Sequence, residues 1–248
     1  MIKFSCEKVF LQNAIAVTSR AVAQKSSIPA LEGLLIHADQ QLTISGYNMQ
    51  TGIRTNVFAN VVEGGDIVLN ARLFGDIIRR MPDDMITFTA DEKMMVHVSC
   101  GDADFDILGL SAADYPDLPE VEDEYAVSMQ QKVLRSMIEE VAFAVSTNES
   151  RPVHTGALFE IADMSLSMVA VDGFRLALRR EKVSAEGTAQ FIIPGKTLSE
   201  MNKLLSDDEE EQTRLYLSRK HVVVQIGQYK VISRLLEGEF LDYKAAIP

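Results

Sequence analysis

The chain contains no tryptophan and only two cysteines, Cys6 and Cys100, which stand far apart with no Cys-x-x-Cys pair and no Cys/His cluster. Structural zinc needs clustered thiolate and imidazole ligands, and this spacing does not supply them. Two distant thiols read as small buried hydrophobes in a reducing compartment, not as a redox pair. Long apolar runs are missing too: nothing approaches the ~20 residues that span a bilayer. The opening MIKFSCEKVF has no signal-type apolar core and goes straight into a strand-like pattern. A cytoplasmic protein with no membrane association is expected.

Catalytic signatures are equally scarce. There is no GxGxxG or GxxxxGK[ST] loop, no GxSxG elbow and no HExxH. The 4 histidines, at 37, 97, 154 and 221, are isolated from one another, and His37, His97 and His221 sit in alternating strand patterns. The acidic run Asp207–Glu211 follows a helix and reads as a solvated loop. No catalytic residue, metal or cofactor is therefore expected. Basic residues are also few, 24 against 36 acidic, for a net charge of −12. That balance alone argues against coating duplex DNA, which needs clustered Lys and Arg to neutralise phosphates. Net charge does not fix local charge, however, and an acidic outer surface can coexist with a mildly basic inner one.

What is present is a duplication. The 248 residues, 47% apolar, suffice for one large domain or two ordinary ones. The first half reads as a strand (2–5), a helix (8–22), a strand group (30–58), a short strand (67–69), a helix (72–81) and three strands (86–89, 94–99, 104–108). The second half repeats that order from a strand near 126–129. Its helices fall at 131–145 and 196–205, its strand group at 156–180, and its last strands near 214–217, 221–225 and 229–235. GLLIHADQQLTIS from Gly33 echoes GALFEIADMSLSM from Gly156, and FDILGLSAADYPDLP echoes ISRLLEGEFLDYKAAIP. This spacing is too long for a solenoid and marks a duplicated domain. The predicted class is α+β, with repeated domains at 1–120 and 121–248, each with two helices packed on antiparallel sheets. The acidic, proline-bearing stretch from Tyr115 to Glu124 is the expected linker.

Helical spacing predicts a buried stripe of Phe10, Leu11, Ala14, Ile15, Val17, Ala21 and Val22 in the first helix, with Lys8, Gln12, Ala16 and Ser19 outward. In the third, Leu134, Met137, Ile138, Val141 and Val145 face the core, with Lys132, Arg135, Glu139, Ala142 and Ser146 outward. Asp172-Gly173, between alternating runs, predicts a tight hairpin with both residues at positive φ.

MVAVDGFRLAL (168–178) resembles the T-D-G-H-R-L-A stretch of bacterial DNA sliding clamps, the beta subunits of DNA polymerase III. ISRLLEGEFLDYKAAIP (232–248) resembles their S-[KR]-L-[VIL]-[DE]-G-x-[FY]-P-D-Y segment, and IPALEGLLI (28–36) and LSAADYPDLP (110–119) match motifs of their first domain. The similarity runs the length of the chain in order. It implies the DNA clamp fold, with two of three domains present and a third expected beyond Pro248. Two such subunits would close head to tail into a homodimeric ring around duplex DNA.

The resemblance also implies site residues. Lys25, Asn148 and Lys196 match positions near DNA. The half of a partner-peptide groove expected in this chain is His154, Val171, Gly173, Phe174, Arg175, Leu176, Leu241, Ala245 and Ala246. Its implied partners are the polymerase III alpha subunit, the clamp loader, other polymerases and repair proteins. Phe174 stands where the family often has His, and Leu241 where it has Pro, which puts motif preference in question. Ring closure would use Ile77, Met81, Phe105 and Ile107. Two other readings of the residues stay open: a free-standing peptide-binding module, and a duplicated α+β enzyme whose site is assembled from scattered carboxylates.

Overall fold

A computed structural model describes residues 1–121, 126–185 and 187–247. The chain divides into two units, residues 1–118 with 228–230, and 119–227 with 231–248. In the first, β1 (Ile2–Glu7) runs directly into α1 (Lys8–Thr18), followed by a 3-10 turn, Ser19–Ala21. Then come β2 (Gly33–Ala38), β3 (Leu42–Tyr47), β4 (Thr51–Val57), β5 (Asn60–Glu63), β6 (Gly65–Asn70), α2 (Ala71–Arg80), β7 (Met85–Ala90), β8 (Met95–Cys100) and β9 (Ala103–Leu108). The second unit follows the same path. It has β10 (Ala126–Gln130), α3 (Gln131–Val141), β11 (Gly156–Ala162), β12 (Ser165–Val171), β13 (Leu176–Lys182), β14 (Ser184–Ala185), β15 (Ala189–Pro194), α4 (Gly195–Asn202), β16 (Gln212–Leu217), β17 (His221–Ile226) and β18 (Tyr229–Arg234).

The sheets make the duplication explicit. The first unit has strand orders β5-β1-β7-β8-β9 and β4-β3-β2-β6. The second has β14-β10-β16-β17-β18 and β13-β12-β11-β15, the same order strand for strand. The α+β expectation of repeated domains, two helices each on antiparallel sheets, therefore holds. The short strands β5 and β14 were not legible in the sequence.

Burial follows the alternation of apolar residues. In the first unit Phe4 stacks on Phe88 with centroids 4.5 Å apart, and Phe74 meets Phe88 edge-on at 6.3 Å. Leu11, Ala14 and Ile15 of α1 and Phe74, Ile77 and Ile78 of α2 close over the same core. In the second unit Leu134, Met137 and Ile138 of α3 and Leu198 and Met201 of α4 are buried, and Phe159 stacks on Phe191 at 5.2 Å. Each first helix starts without a side-chain cap. Instead Lys8 N–H donates to the Asp84 carbonyl at 3.0 Å, and Gln131 N–H to the Glu211 carbonyl at 2.9 Å, so a strand-leading loop does the work of a cap. Gly33 and Gly156 open the equivalent strands β2 and β11. A Cβ would come within 2.8 Å of the Leu69 carbonyl oxygen at the first and 2.4 Å of the Ile193 carbonyl oxygen at the second.

Several expectations are corrected. Phe10 is exposed and Lys8 is buried, the reverse of the helical-stripe reading. The direct β1–α1 junction tucks the Lys8 stem inward while its Nζ reaches Asp83 at 2.7 Å, and Phe10 leans toward Phe58 instead. The Tyr115–Glu124 stretch does not begin as a free linker: Tyr115 and Leu118 are buried, and the Tyr115 hydroxyl donates to the Ser45 carbonyl at 3.4 Å. Residues 122–124 of that stretch lie outside the described residues. Both first helices end in 3-10 turns, Ser19–Ala21 and Ala142–Ala144, rather than continuing as α-helix.

The Asp172-Gly173 turn also differs. Val171 pairs with Leu176, leaving residues 172–175 in the loop, and of Asp172 and Gly173 only Gly173 has positive φ, +92°. A two-residue turn with both φ positive does occur, at Asp163 and Met164 (52° and 53°), between the paired Ala162 and Ser165.

Candidate functional site

Most of the expected groove residues come from two stretches of the second unit: the β12–β13 turn and the segment after β18. The turn is built by Asp172. Its Oδ1 accepts the backbone N–H of Phe174 at 3.0 Å and of Arg175 at 3.1 Å, and its Oδ2 accepts Arg175 Nε at 2.6 Å. The Phe174 N–H first, and then the Arg175 side chain, hold the Asp172 carboxyl below the usual carboxylate range. The turn is therefore locked by an anion at neutral pH. With its backbone committed, Phe174 projects wholly into solvent, 100% exposed. The Arg175 guanidinium also lies over the Phe143 ring, 5.4 Å from its centroid.

Leu176, which follows the turn, packs with Val153, Leu236 and Phe240 on a floor of Leu158, Val169, Ile192 and Tyr243. The His154 ring meets Phe240 edge-on at 5.4 Å. Burial, with the Arg151 cation adding to it, lowers the His154 pKa, so the ring is neutral at pH 7. His154, Leu176 and the 236–243 segment are thus brought to one apolar surface. Val171 is buried, while Leu241 and Ala245 are exposed; the Ala246 side chain lies outside the described residues. Val153, Leu236 and Phe240 were not singled out from the sequence, although Leu236 and Phe240 stand inside the quoted ISRLLEGEFLDYKAAIP stretch.

The residues expected near DNA fall at equivalent places in the repeat. Lys25 stands four residues before Pro29 and Asn148 four before Pro152, and each proline opens a 3-10 turn, Pro29–Glu32 or Pro152–Thr155. Lys25 is exposed. Asn148 Oδ1 accepts the Ser150 N–H at 3.0 Å. Lys196 is exposed in the first turn of α4, and its counterpart in α2 is the exposed Arg72, which comparing the repeats would have found. The α1 region and α2 expose Arg20, Arg72, Arg79 and Arg80 against a single acid, Asp76. In a chain of net charge −12, the acidic excess lies elsewhere.

Of the four residues expected at ring closure, Ile77, Met81 and Ile107 are buried in the first unit's own core. Only Phe105 is exposed, on β9, the outer strand of its sheet; Leu108, three residues on and on the opposite face of the strand, is also exposed. Among the described residues no group of three or more His, Cys, Asp or Glu could hold a metal ion, and no helix is long and apolar enough to cross a membrane. His37 and His97, isolated in sequence, each face an aspartate on the next strand, Asp66 at 2.5 Å and Asp106 at 2.8 Å.

Comparison with known proteins decides the family. The model of the DNA polymerase III beta subunit, N-terminal domain, matches residues 2–119, and that of the central domain matches residues 128–242. The chain belongs to the DNA polymerase III beta-subunit family. The beta sliding clamp of Staphylococcus epidermidis is 32% identical over the whole chain, which spans 68% of that relative, and the Staphylococcus aureus clamp is 31% identical with the same coverage. Among solved beta subunits and clamps, the Bacillus subtilis sliding clamp superposes with a TM-score of 0.96 at 29% identity, covering 100% of this chain and 68% of that one. The Eubacterium rectale protein gives 0.96 at 30% identity, covering 99% and 68%. The beta-subunit family thus accounts for both units and their order.

Proposed function

We propose that this chain works as part of a sliding clamp, a non-catalytic ring that encloses duplex DNA and tethers a DNA polymerase to it. The observation that carries the reading is the pair of units with one strand order, each matched by a beta-subunit domain. They correspond to domains 1–120 and 121–248 of a three-domain subunit that closes as a homodimer in the cytoplasm. A closed ring need not adhere to what it surrounds. Each Lys–phosphate contact adds salt-dependent affinity, and many would pin the ring, so a modestly basic helical surface suits movement along DNA. Lys25, Asn148, Lys196 and Arg72 are assigned to that surface, and Phe105 on β9 to ring closure.

The apolar surface around Leu176, His154 and Phe240, with Phe174, Arg175 and Leu241, is assigned as half of a groove for short linear motifs. Polymerase III alpha, the clamp loader, other polymerases and repair proteins would share it. Fully buried apolar anchors contribute about 1.5–3 kcal/mol each, a scale that permits exchange between partners.

The test is retention on DNA. Loaded within its ring on a nicked circular plasmid, the chain should survive a high-salt wash and leave once the plasmid is linearised. The 248 residues alone should wash off both. Equal loss of the ring from circular and linear DNA would overturn the proposal.

A further inference from the structure

The first unit carries an exposed apolar surface made of residues not assigned above to the groove or to ring closure. Phe58, just after β4, is 82% exposed, and its ring lies 6.1 Å from that of Phe10, 43% exposed, in the first turns of α1. Val9 beside it is exposed. Exposed Met85 stands close to the start of α1, because Glu7 pairs with Met85 across β1 and β7 and the Lys8 N–H is bonded to the Asp84 carbonyl. Contiguous exposed apolar side chains of this size mark interaction surfaces more often than isolated ones do.

The second unit supplies an internal control. The same positions there are Lys132 for Val9, Val133 for Phe10, Gln212 for Met85 and Val183 for Phe58. Lys132 pairs with Glu209 at 2.6 Å, Gln212 is exposed, and Val183 is buried. The fold therefore has no need of exposed apolar groups at this place, and folding does not explain why the first unit has them.

The charges around the surface restrict its occupant. Glu7, Asp83 and Asp84 are exposed beside it, and the Lys8 ammonium is taken up by Asp83. Nucleic acid and anionic lipid would be repelled. A symmetric contact with a second copy would set acid against acid. We propose that Phe58, Phe10, Val9 and Met85 dock a segment of a partner protein that presents apolar side chains flanked by Lys or Arg.

The probe is a fluorescent amphipathic peptide of leucine and lysine, with its leucine and glutamate counterpart as control, titrated against the chain by anisotropy. The basic peptide should bind and the acidic one should not. Phe58→Ser, which changes no charge and touches a solvent-facing ring, should weaken binding about tenfold or more, the scale of one buried anchor. Glu7→Gln/Asp84→Asn should weaken it and flatten its salt dependence, while Phe174→Ser should leave it unchanged. Unaltered binding by the Phe58→Ser chain would reduce the effect to overall charge and overturn the proposal. So would equal binding of both peptides, or self-association in sedimentation that Phe58→Ser abolishes.

Discussion

Met164 shows how a single residue can be held against its preference. It closes the β11–β12 hairpin with φ +53°, in the left-handed region that costs a side chain bearing a Cβ about 1–2 kcal/mol. Glycine adopts it freely but loses more entropy on folding. Met164→Gly should therefore stabilise the chain by roughly 0.5–1 kcal/mol, read as a higher urea midpoint at unchanged slope; a lower midpoint would refute the argument. His154 makes a different prediction. Its folded pKa is lowered, by burial first and the Arg151 cation second, so the unfolded chain binds the proton more readily. The stability this contributes is complete above the ordinary imidazole pKa and is lost as pH falls through it to the lowered value. An NMR titration should place His154 below an ordinary histidine, and His154→Gln should reduce the loss of stability in that window. Neither feature could be read from the sequence. The backbone sign at Met164 depends on the pairing of Ala162 with Ser165, and the His154 environment depends on Phe240, distant along the chain.

At the scale of elements, helix and strand order was legible because periodicity reports burial directly, and α3 kept its expected stripe of Leu134, Met137, Ile138 and Val141. The stripe of α1 failed at its first turn. Spacing alone treats Lys8 as outward, whereas the junction with β1 and the position of Asp83 bury its stem. The Asp-Gly turn was legible as a turn but not in length, because the Asp172 side chain takes two backbone N–H groups and stabilises a longer loop. The repeated glycine at the head of β2 and β11 is a feature of elements too. Gly156→Ala would drive a Cβ against the Ile193 carbonyl oxygen, and overpacking of this kind costs roughly 1–3 kcal/mol. Thermal melting should show that loss, and an unchanged melting temperature would mean that β15 can retreat at no cost.

Over the whole molecule, the duplication was legible because it rests on order and length, which survive when individual residues diverge. The apolar surface proposed as half of a groove was legible only in part: the quoted stretches contain its turn and its last segment, Leu236 included, but Val153 joins it through packing that no local pattern announces. Three of the residues expected at ring closure are buried in the first unit, and an apolar residue beside an edge strand reads the same in sequence whether it serves the inside or the outside.

Identical strand orders in the two units have a consequence for how the chain reaches its native state. During refolding, every hairpin has a decoy in the other copy, at the same place in the strand order. Tandem homologous domains are prone to trading segments for this reason. Divergence between the copies then has a value separate from any surface they present: side chains that fit one lobe and clash or lie polar in the other make the wrong exchange unprofitable.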